Sequence, residues 1–347
     1  MMNFAIAGCG HIAYKHIDAI EKTEGARLVA MCDPNPARLE ELRAITPAAS
    51  YPDLGTMLAQ QPDIDAVCIC APSGLHGALA LEALRAGKHL VLEKPVTLDL
   101  TEAEQLRQAV RFSGVKATVV HPNRYRPAMR VLQAALAEQR FGKLSHVNMT
   151  VRWNRSQAYY DQAAWRGTKA MDGGVLLNQA IHGLDLLQWL FGPVAEVKSL
   201  TATRLKQIEA EDVAIAAIRL DSGALGVIEA ATTVYGHNLE ESISVFGEEG
   251  YAVIGGKTAN WIRHWVCASM SREETEALIR RVDEDPYGVP GHQCIIADLV
   301  RAVREDREPE ISLEDGIRAV KLALDMTGGG SGEPAQPLDR KEAIADA

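Results

Sequence analysis

The sequence predicts an α/β protein in which a doubly wound parallel sheet is followed by a second α+β domain with a large, mostly antiparallel sheet. Near-continuous apolar runs alternate with helical patterns over the first third of the chain, which is typical of a parallel sheet covered on both faces. Further along, apolar strand patterns follow one another with only turn signals between them. We therefore expect a first domain over residues 1–122, a second over 123–327 and a Gly-, Ser- and Pro-rich tail over 328–347.

The individual elements follow from the same patterns. In the first domain, we expect strands over residues 3–7, 27–32, 66–71, 89–92 and 116–120. Between them, we expect helices over residues 12–22, 37–44, 75–86 and 100–112. In the second domain, we expect a helix over 125–138, a strand over 144–153, a single helix over 175–190, consecutive strands over 194–266, and helices over 292–305 and 313–326.

Composition narrows the possible functions. The 46 acidic and 36 basic residues give a formal charge of −10, which disfavours nucleic acid and anionic membranes as partners. No apolar run approaches the ~18 residues of a membrane span, and the first residues do not resemble a signal peptide. The six cysteines are not accompanied by a second ligand pair at metal spacing. We expect a cytoplasmic protein with reduced thiols and no metal.

A nucleotide-binding turn follows the first strand. Its residues are Gly8-Cys9-Gly10-His11-Ile12-Ala13, a GxGxxA pattern that opens a helix. Gly8 permits the tight turn, and Gly10 permits close approach of a pyrophosphate to the helix N-terminus. Asp33 ends the second strand, where a carboxylate accepts hydrogen bonds from ribose hydroxyls and repels a 2′-phosphate. The pattern favours NAD over NADP in a Rossmann-type domain, although Arg38 could tolerate a phosphate. The alternative is a structural glycine turn beside a surface aspartate.

Two further segments end strands at the predicted cofactor crevice. The first carries Ala71, Ser73 and His76, and the second is Glu93-Lys94-Pro95. The ammonium of Lys94 could bond a substrate hydroxyl and stabilise developing negative charge, and Pro95 could form a cis bond that aims it. In isolation, Lys94 would be read as a solvated surface charge.

The Glu-Lys-Pro motif, the glycine turn and a later helix motif, Gly173-Gly174-Val175-Leu176-Leu177-Asn178-Gln179-Ala180-Ile181-His182-Gly183-Leu184-Asp185, together resemble the Gfo/Idh/MocA dehydrogenases. The resemblance runs from about residue 3 to residue 326. It implies a bound nicotinamide cofactor and oxidation of a sugar, inositol or nucleotide sugar. It also implies that the sheet of the second domain carries oligomer contacts.

The helix motif supplies the candidate catalytic residues. Asn178 and His182 are four residues apart and would share one face of a helix, and Asp185 could orient the ring of His182. A histidine has a pKa suited to removing a hydroxyl proton as hydride leaves the carbon. A lone histidine on an apolar helix is otherwise a core residue, and its pairing with Lys94 favours catalysis. Many family members have Asp at the position of Asn178, which can hydrogen-bond substrate but cannot accept a proton.

The Asn-Gln-Ala-Ile-His segment resembles a subgroup of that family, the WlbA-type enzymes. These oxidise the 3-hydroxyl of UDP-N-acetylglucosaminuronic acid during bacterial surface polysaccharide (lipopolysaccharide) biosynthesis. Two other stretches fit the subgroup, residues 121–128, which include the candidate cofactor ligand Asn123, and residues 152–169. The second stretch offers the candidate substrate ligands Arg152, Arg155, Tyr160, Trp165 and Arg166, and the helix motif adds Asn178. Arginine forks match phosphate and carboxylate geometry, and the aromatic faces suit a uracil or sugar ring. The alternative is scattered surface charges and interface aromatics.

The predicted function is therefore NAD-dependent oxidation of a UDP-N-acetyl-hexosaminuronic acid to its 3-keto form. The resemblance implies that 2-oxoglutarate could reoxidise bound NADH, and that the protein forms a homodimer or homotetramer. Another sugar or inositol dehydrogenase of the family is the nearest alternative. An NAD-dependent glycosidase, which would release free sugar from an aryl glycoside, and a non-catalytic sensor are less favoured, since Lys94 and His182 are both present.

Overall fold

The computed structural model describes residues 1–328, so the tail expected over 328–347 lies outside the described residues from residue 329 onward. The first domain is built on a six-stranded parallel sheet of order β3-β2-β1-β4-β5-β6. Its strands are β1 Met2–Ala7, β2 Ala26–Cys32, β3 Ala49–Tyr51, β4 Ala66–Ile69, β5 His89–Leu92 and β6 Ala117–Val119. The helices between them are α1 Ala13–Glu21, α2 Pro36–Arg43, α3 Leu54–Gln60, α4 His76–Arg85 and α5 Leu100–Ser113.

This sheet confirms the predicted doubly wound parallel architecture. Central strands such as β4 are buried at every position, as expected where helices cover both faces. The order places β1 beside β4, so the turn after β1 and the ends of β4 and β5 lie along one carboxyl edge. The sequence patterns missed β3 and α3. They have three and seven residues, too few to show a periodicity.

The second domain begins with a helix and a strand and then adds six more strands. Its elements are α6 Pro127–Ala137, β7 Leu144–Arg152, α7 Gln157–Asp161, a π-helical turn Val175–Gln179, α8 Ile181–Phe191, β8 Val194–Ala202, β9 Val213–Leu220, β10 Leu225–Ala231, β11 Glu240–Gly247, β12 Gly250–Gly255, β13 Trp261–Cys267 and α9 Arg272–Glu284. The seven strands have the order β13-β12-β11-β7-β10-β9-β8, and every neighbouring pair except β7 and β10 is antiparallel. The mostly antiparallel sheet is thus confirmed.

One face of this sheet packs on α8, and the other is an open face within residues 1–328, where Leu200, Ile215 and Val227 are exposed. Along β7, Val147, Met149 and Val151 are buried and alternate with more accessible residues. A Cβ atom on Gly183 of α8 would lie 2.8 Å from the sulfur of Met149, so helix and sheet touch closely there. The buried face therefore looks toward α8 and the candidate site.

The last two helices, α10 Gly291–Glu305 and α11 Leu313–Met326, return to the first domain. Helix α10 packs on α1, and α11 lies against both α8 and the end of the parallel sheet. At the start of α11, Ser312 forms a bridge with Thr118 of β6, and the Thr118 hydroxyl donates to the carbonyl oxygen of Ile311 at 2.8 Å. Residues far along the chain therefore reach the first domain. No helix of residues 1–328 is long and apolar enough to cross a membrane.

Candidate active site

The glycine turn after β1 has the geometry that a dinucleotide requires. Gly8 has a φ of +99°, and a Cβ atom there would lie 2.6 Å from the backbone nitrogen of Ala71. Only glycine fits this approach between the two strand ends. A Cβ atom on Gly10 would meet nothing closer than a guanidinium nitrogen of Arg38 at 4.0 Å, so the helix N-terminus is open to a ligand. His11 is exposed and Ile12 is partly exposed beside it.

The carboxylate of Asp33 is tied to this turn. One oxygen accepts from the Cys9 N–H at 2.8 Å, and the other accepts from the Asn35 N–H at 2.8 Å. Arg38 lies 3.7 Å from the first oxygen. Each carboxylate oxygen keeps a second lone pair, so Asp33 can still accept from ribose hydroxyls. Together, the open turn and the fixed carboxylate fit NAD.

The end of β4 is braced by His76, which differs from the expectation of a cofactor contact. Its Nδ1 lies 2.6 Å from the carbonyl oxygen of Pro95, and its Nε2 lies 2.8 Å from that of Ala71. The ring therefore lies between two carbonyl oxygens, donates to one of them when it is neutral, and ties the turn containing the buried Ser73 to the Lys94 loop. Burial lowers the pKa of His76. The structure assigns this residue a bracing role.

Lys94 reaches from the parallel sheet to the second domain. Its Nζ donates to the carbonyl oxygen of Asn178 at 2.8 Å, and the Lys94–Pro95 bond is cis, as hypothesised from the sequence. Burial lowers the pKa of Lys94, while the charges of Glu93 and Asp172 oppose that shift. The partly buried ammonium of Lys94 therefore gives up its proton more readily than an exposed lysine does.

The segment from Gly174 to α8 presents two side chains to the cleft. Within residues 172–181, only Asn178 is not buried. Within residues 179–187, only His182 is not buried. Gly174 has a φ of +76°, and a Cβ atom there would lie 2.3 Å from a carboxylate oxygen of Glu211. The prediction of a single helix here was wrong. The chain forms a π-helical turn first, and Ala180 separates that turn from α8.

The side-chain amide of Asn178 is held from both sides. Its Nδ2 donates to Asp172, and its Oδ1 accepts from Gln179 Nε2 at 2.9 Å. Burial raises the pKa of Asp172, and the amide of Asn178 and the charges of Lys94 and Arg166 counter this. The sequence analysis missed Asp172. Its place directly before two glycines, six residues before Asn178, is the signal that could have found it.

His182 is oriented by a second histidine, not by Asp185. The Nδ1 atoms of His182 and His121 lie 3.4 Å apart, with the rings edge to face. Asp185 is instead bound by Arg124 at 2.8 and 2.5 Å, and it lies 3.8 Å from His121 Nδ1. The expectation that Asp185 orients the ring of His182 was wrong, because Arg124 binds both oxygens of the Asp185 carboxylate.

The pKa of His182 is shifted well below its ordinary value. Burial is the main cause, and the neighbouring charges of Lys94 and His121 act in the same direction. The ring is therefore neutral at working pH. A neutral imidazole at the cleft can accept a proton from a bound hydroxyl.

Two arginines lie close to the ring of Tyr159, next to these residues. The guanidinium carbon of Arg155 lies 5.3 Å from the centre of the Tyr159 ring, and that of Arg166 lies 4.2 Å from it. Arg155 donates to neutral acceptors, including Gln179 Oε1 at 2.7 Å and Asn238 Oδ1 at 3.2 Å. Arg166 Nε is buried and has no hydrogen-bond partner within residues 1–328. These guanidinium groups are prepared for an anion.

Arg152 does not belong to this cluster. It follows the inward-facing Val151, so strand alternation points it to the open face of the sheet. There it pairs with Glu229 at 2.6 Å and Glu240 at 2.9 Å. The expectation that Arg152 binds substrate was wrong, and the alternation of β7 was the available signal.

The remaining predicted residues line or support the site. The hydroxyl of Tyr160 is buried and bonds to Thr232 at 3.1 Å, and the ring of Trp165 stacks under Arg166 at 4.8 Å. Asn123 is buried, and its amide donates to Glu241 of β11 at 3.0 Å. Asn123 therefore anchors the segment between the domains.

The comparisons with known proteins agree with this geometry. Residues 2–121 match the family profile described as the oxidoreductase family, NAD-binding Rossmann fold, and residues 129–253 match the GFO/IDH/MocA C-terminal domain.

Two solved structures are similar over nearly the whole chain. The WlbA dehydrogenase from Chromobacterium violaceum, in complex with NADH and UDP-GlcNAcA, is 35% identical with a TM-score of 0.89, covering 97% of this chain and 96% of that one. The WlbA dehydrogenase from Bordetella pertussis, in complex with the same two ligands, is 37% identical with a TM-score of 0.88, covering 97% and 98%.

Among curated proteins, the scyllo-inositol 2-dehydrogenase (NAD(+)) of Bacillus subtilis is 29% identical over 261 residues, which are 72% of this chain and 73% of that protein. Both domain profiles, the glycine turn and the Lys94 and His182 geometry point the same way. The chain belongs to the Gfo/Idh/MocA family of NAD-dependent oxidoreductases.

Proposed function

We propose that this oxidoreductase converts UDP-N-acetylglucosaminuronate into its 3-keto form. The observation that carries the proposal is the pair of guanidinium groups, Arg155 and Arg166, that both lie against the ring of Tyr159 near Lys94 and His182. The substrate has a pyrophosphate and a carboxylate, and the protein as a whole has a charge of −10. A local pair of arginines offsets that repulsion and matches both anions.

The similarity to two WlbA dehydrogenases, both in complexes with NADH and UDP-GlcNAcA, supports the same substrate. The identity of 35–37% extends over 97% of the chain, and thus over both the cofactor domain and the sheet domain.

The roles of the residues follow from their placement. His182, neutral in its buried position, takes the proton of the 3-hydroxyl as the carbon–hydrogen bond breaks. Lys94 donates to the same oxygen and stabilises its developing charge, and Asn178 fixes the hydroxyl through an amide held by Asp172. NAD, when bound at the glycine turn, supplies the acceptor for the hydride.

Oxidation of a free inositol or sugar is the second candidate, because the Bacillus subtilis relative is an inositol dehydrogenase. A neutral polyol would use Lys94, Asn178 and His182 but would leave Arg155 and Arg166 without an anion. The Nε atom of Arg166 is buried without a hydrogen-bond partner within residues 1–328, which is costly unless a ligand engages it, so the charged substrate is favoured.

The test compares kcat/KM for UDP-N-acetylglucosaminuronate, UDP-N-acetylglucosamine and scyllo-inositol, with NAD in each case. The proposal predicts the highest value for the uronate, since only it carries both anions. A higher value for scyllo-inositol would reject the nucleotide-sugar substrate and favour the second candidate. Adding 2-oxoglutarate to the uronate reaction tests whether it reoxidises bound NADH, as proposed from the family resemblance.

The proposal includes a homo-oligomer that covers the open face of the seven-stranded sheet. Leu200, Ile215 and Val227 expose 80%, 53% and 47% of their surface there, and Leu200 and Ile215 are direct partners across β8 and β9. Exposed apolar residues in one patch are typical of an interface. Light scattering of the purified protein, alone and with Ile215→Asp, tests this, with a monomeric mass for the unmodified chain as the opposing result.

A further inference from the structure

Behind Lys94, three titratable side chains from three separate elements meet in the interior. His16 of α1 places its Nε2 2.9 Å from an oxygen of Glu93, and His292 of α10 places its Nε2 3.6 Å from the same oxygen. The two imidazole rings lie edge to face, 5.4 Å apart. His16 and Glu93 are buried, at 1% and 5% exposure, and His292 is partly buried in the first turn of α10.

The second oxygen of Glu93 acts on the next residue. It accepts from the backbone N–H of Lys94 at 3.2 Å, and the side chain of Lys94 then reaches Asn178. A continuous path therefore runs from the two histidines through one carboxylate to the backbone of Lys94. Because His292 is far along the chain, the packing of α10 on α1 completes this path.

The charges around Glu93 keep its carboxylate ionised. Burial alone would raise the pKa of Glu93, but the hydrogen bond from His16 and the charges of His16 and His292 hold that pKa well below its ordinary range. The other groups facing the cluster are the thiols of Cys68 in β4 and of Cys70 directly after that strand, and the ammonium groups of Lys15 and Lys94. Burial raises the pKa of Cys70 to about 11, so that thiol stays neutral. The residue directly before Lys94 therefore carries a negative charge.

We infer that His16 and His292 are positioning residues, which hold Glu93 ionised and in place so that it fixes Lys94 and keeps it protonated. The inference rests on the proposed role of Lys94 as the group that polarises the substrate hydroxyl. Without the imidazoles, the buried Glu93 takes up a proton. Lys94 then loses a neighbouring negative charge and gives up its own proton at lower pH.

The test measures the amine of Lys94 directly, without substrate. The full-length protein is treated with a succinimidyl acetate over a range of pH, and acetylation of Lys94 is followed by peptide mass spectrometry. The variants are His292→Ala and His16→Gln, with Glu93→Gln as the limit in which the charge is absent. Gln293→Ala is the matched control, because Gln293 lies in the same turn of α10 but bonds to the carbonyl oxygen of Lys22.

We expect Lys94 in His292→Ala to be acetylated at least about threefold faster than in the unmodified chain at pH 8, as for a downward pKa shift of about half a unit. His16→Gln should give a larger increase and Gln293→Ala none. In parallel, the alkaline fall of kcat should move to lower pH in both histidine variants. Thermal melting checks that each variant is folded, and if His16→Gln is not, His292→Ala still decides.

Unchanged Lys94 acetylation in a folded His292→Ala and in Glu93→Gln would overturn the inference. So would a change in acetylation on incubation with a metal chelator, because the three side chains would then be holding a metal and not a shared hydrogen-bonding network. These results are independent of the substrate. If UDP-N-acetylglucosaminuronate is not oxidised, the acetylation profile still confirms or rejects the roles of the two histidines.

Discussion

The Nζ atom of Lys94 lies 2.8 Å from the carbonyl oxygen of Asn178, so the end of β5 and the π-helical turn of the second domain meet at one hydrogen bond. The ammonium therefore lies beside the two side chains, Asn178 and His182, that the second domain presents to the cleft. Its remaining N–H groups are available to a substrate hydroxyl. This junction determines what the site can do and how it should respond to pH.

The pH profile should be set by Lys94 and not by His182. Burial and nearby positive charge hold the pKa of His182 well below its ordinary value, so the base becomes neutral at a lower pH than an exposed histidine does. The pKa of Lys94 is lowered by burial, so activity should fall on the alkaline side as the ammonium loses its proton. We expect kcat to be level from about pH 6 to pH 8. An acid limb near the usual histidine pKa would contradict this.

His182→Asn should lower kcat by about 100- to 10,000-fold, because it removes the proton acceptor. Substrate should still bind, since Arg155 and Arg166 are unchanged. Isothermal titration with UDP-N-acetylglucosaminuronate separates binding from turnover. Near-native turnover in this variant would show that another group is the base.

Asn178→Asp should lower activity, although an aspartate is common at this position in the family. The new carboxylate would face Asp172, which now accepts from the Asn178 amide. Two carboxylates in contact cannot both ionise easily, so one would take up a proton and the arrangement beside Lys94 would change. We expect kcat to fall about tenfold.

The exchange of the two groups provides the control. In Asp172→Asn combined with Asn178→Asp, one amide and one carboxylate are again in contact, so most of the lost activity should return. The single variant Asp172→Asn should have a lowered kcat. Full activity of the single variant Asn178→Asp would show that the contact has no role.

Arg155→Ala should raise the KM for UDP-N-acetylglucosaminuronate by about 30-fold, as expected for a lost charge-assisted bond of about 2 kcal/mol. Arg166→Ala should have a similar effect, and neither should change the affinity for NAD. Arg272→Ala, an exposed arginine on α9, is the control. Repeating the measurements with UDP-N-acetylglucosamine identifies the arginine that contacts the carboxylate, because its removal no longer matters there. An unchanged KM in both variants would exclude the cluster from the site.

Glu211 should make stability depend on pH. Burial raises its pKa from 4.5 to about 7. Because the folded state keeps the proton longer than the unfolded chain, the free energy of unfolding falls as pH rises from 4.5 to about 7. Glu211→Gln stays neutral and still accepts from the Leu176 N–H, so the variant should be more stable at pH 8 by up to about 3 kcal/mol.

Urea unfolding at pH 5 and pH 8 checks this, with a small difference expected at pH 5. Glu209→Gln is the matched control, since Glu209 lies in the same loop as Glu211, is exposed, and accepts from the backbone N–H of Lys169. An equal effect of Glu211→Gln at both pH values would refute the assignment.

Local patterns predicted most of the fold. Buried apolar runs located β1, β2, β4, β5 and β6, and turn signals located the strands of the second sheet. They did not reveal the π-helical turn at Val175–Gln179, which depends on Glu211 capping its first residues from another part of the chain.

The candidate site was predictable where a motif carried it and not where tertiary contact did. Lys94, Asn178 and His182 were expected from the sequence, and the structure brings them together. His121 was missed because it is 61 residues from His182, and His16 and His292 were missed because helix packing alone joins them to Glu93. Arg152 was wrongly assigned to the substrate site because an arginine suits an anionic substrate, while its position on β7 directs its side chain to the other face of the sheet.

The account's central claim is that a hydride leaves carbon 3 of UDP-N-acetylglucosaminuronate while His182 takes the hydroxyl proton. The direct measurement uses this substrate deuterated at carbon 3, with NAD, and mass spectrometry of both products. The account predicts one deuterium in the reduced cofactor, a 3-keto sugar without it, and loss of both signals in His182→Asn. Deuterium retained in the oxidised sugar, or no oxidation of the uronate while an inositol is turned over, would contradict it.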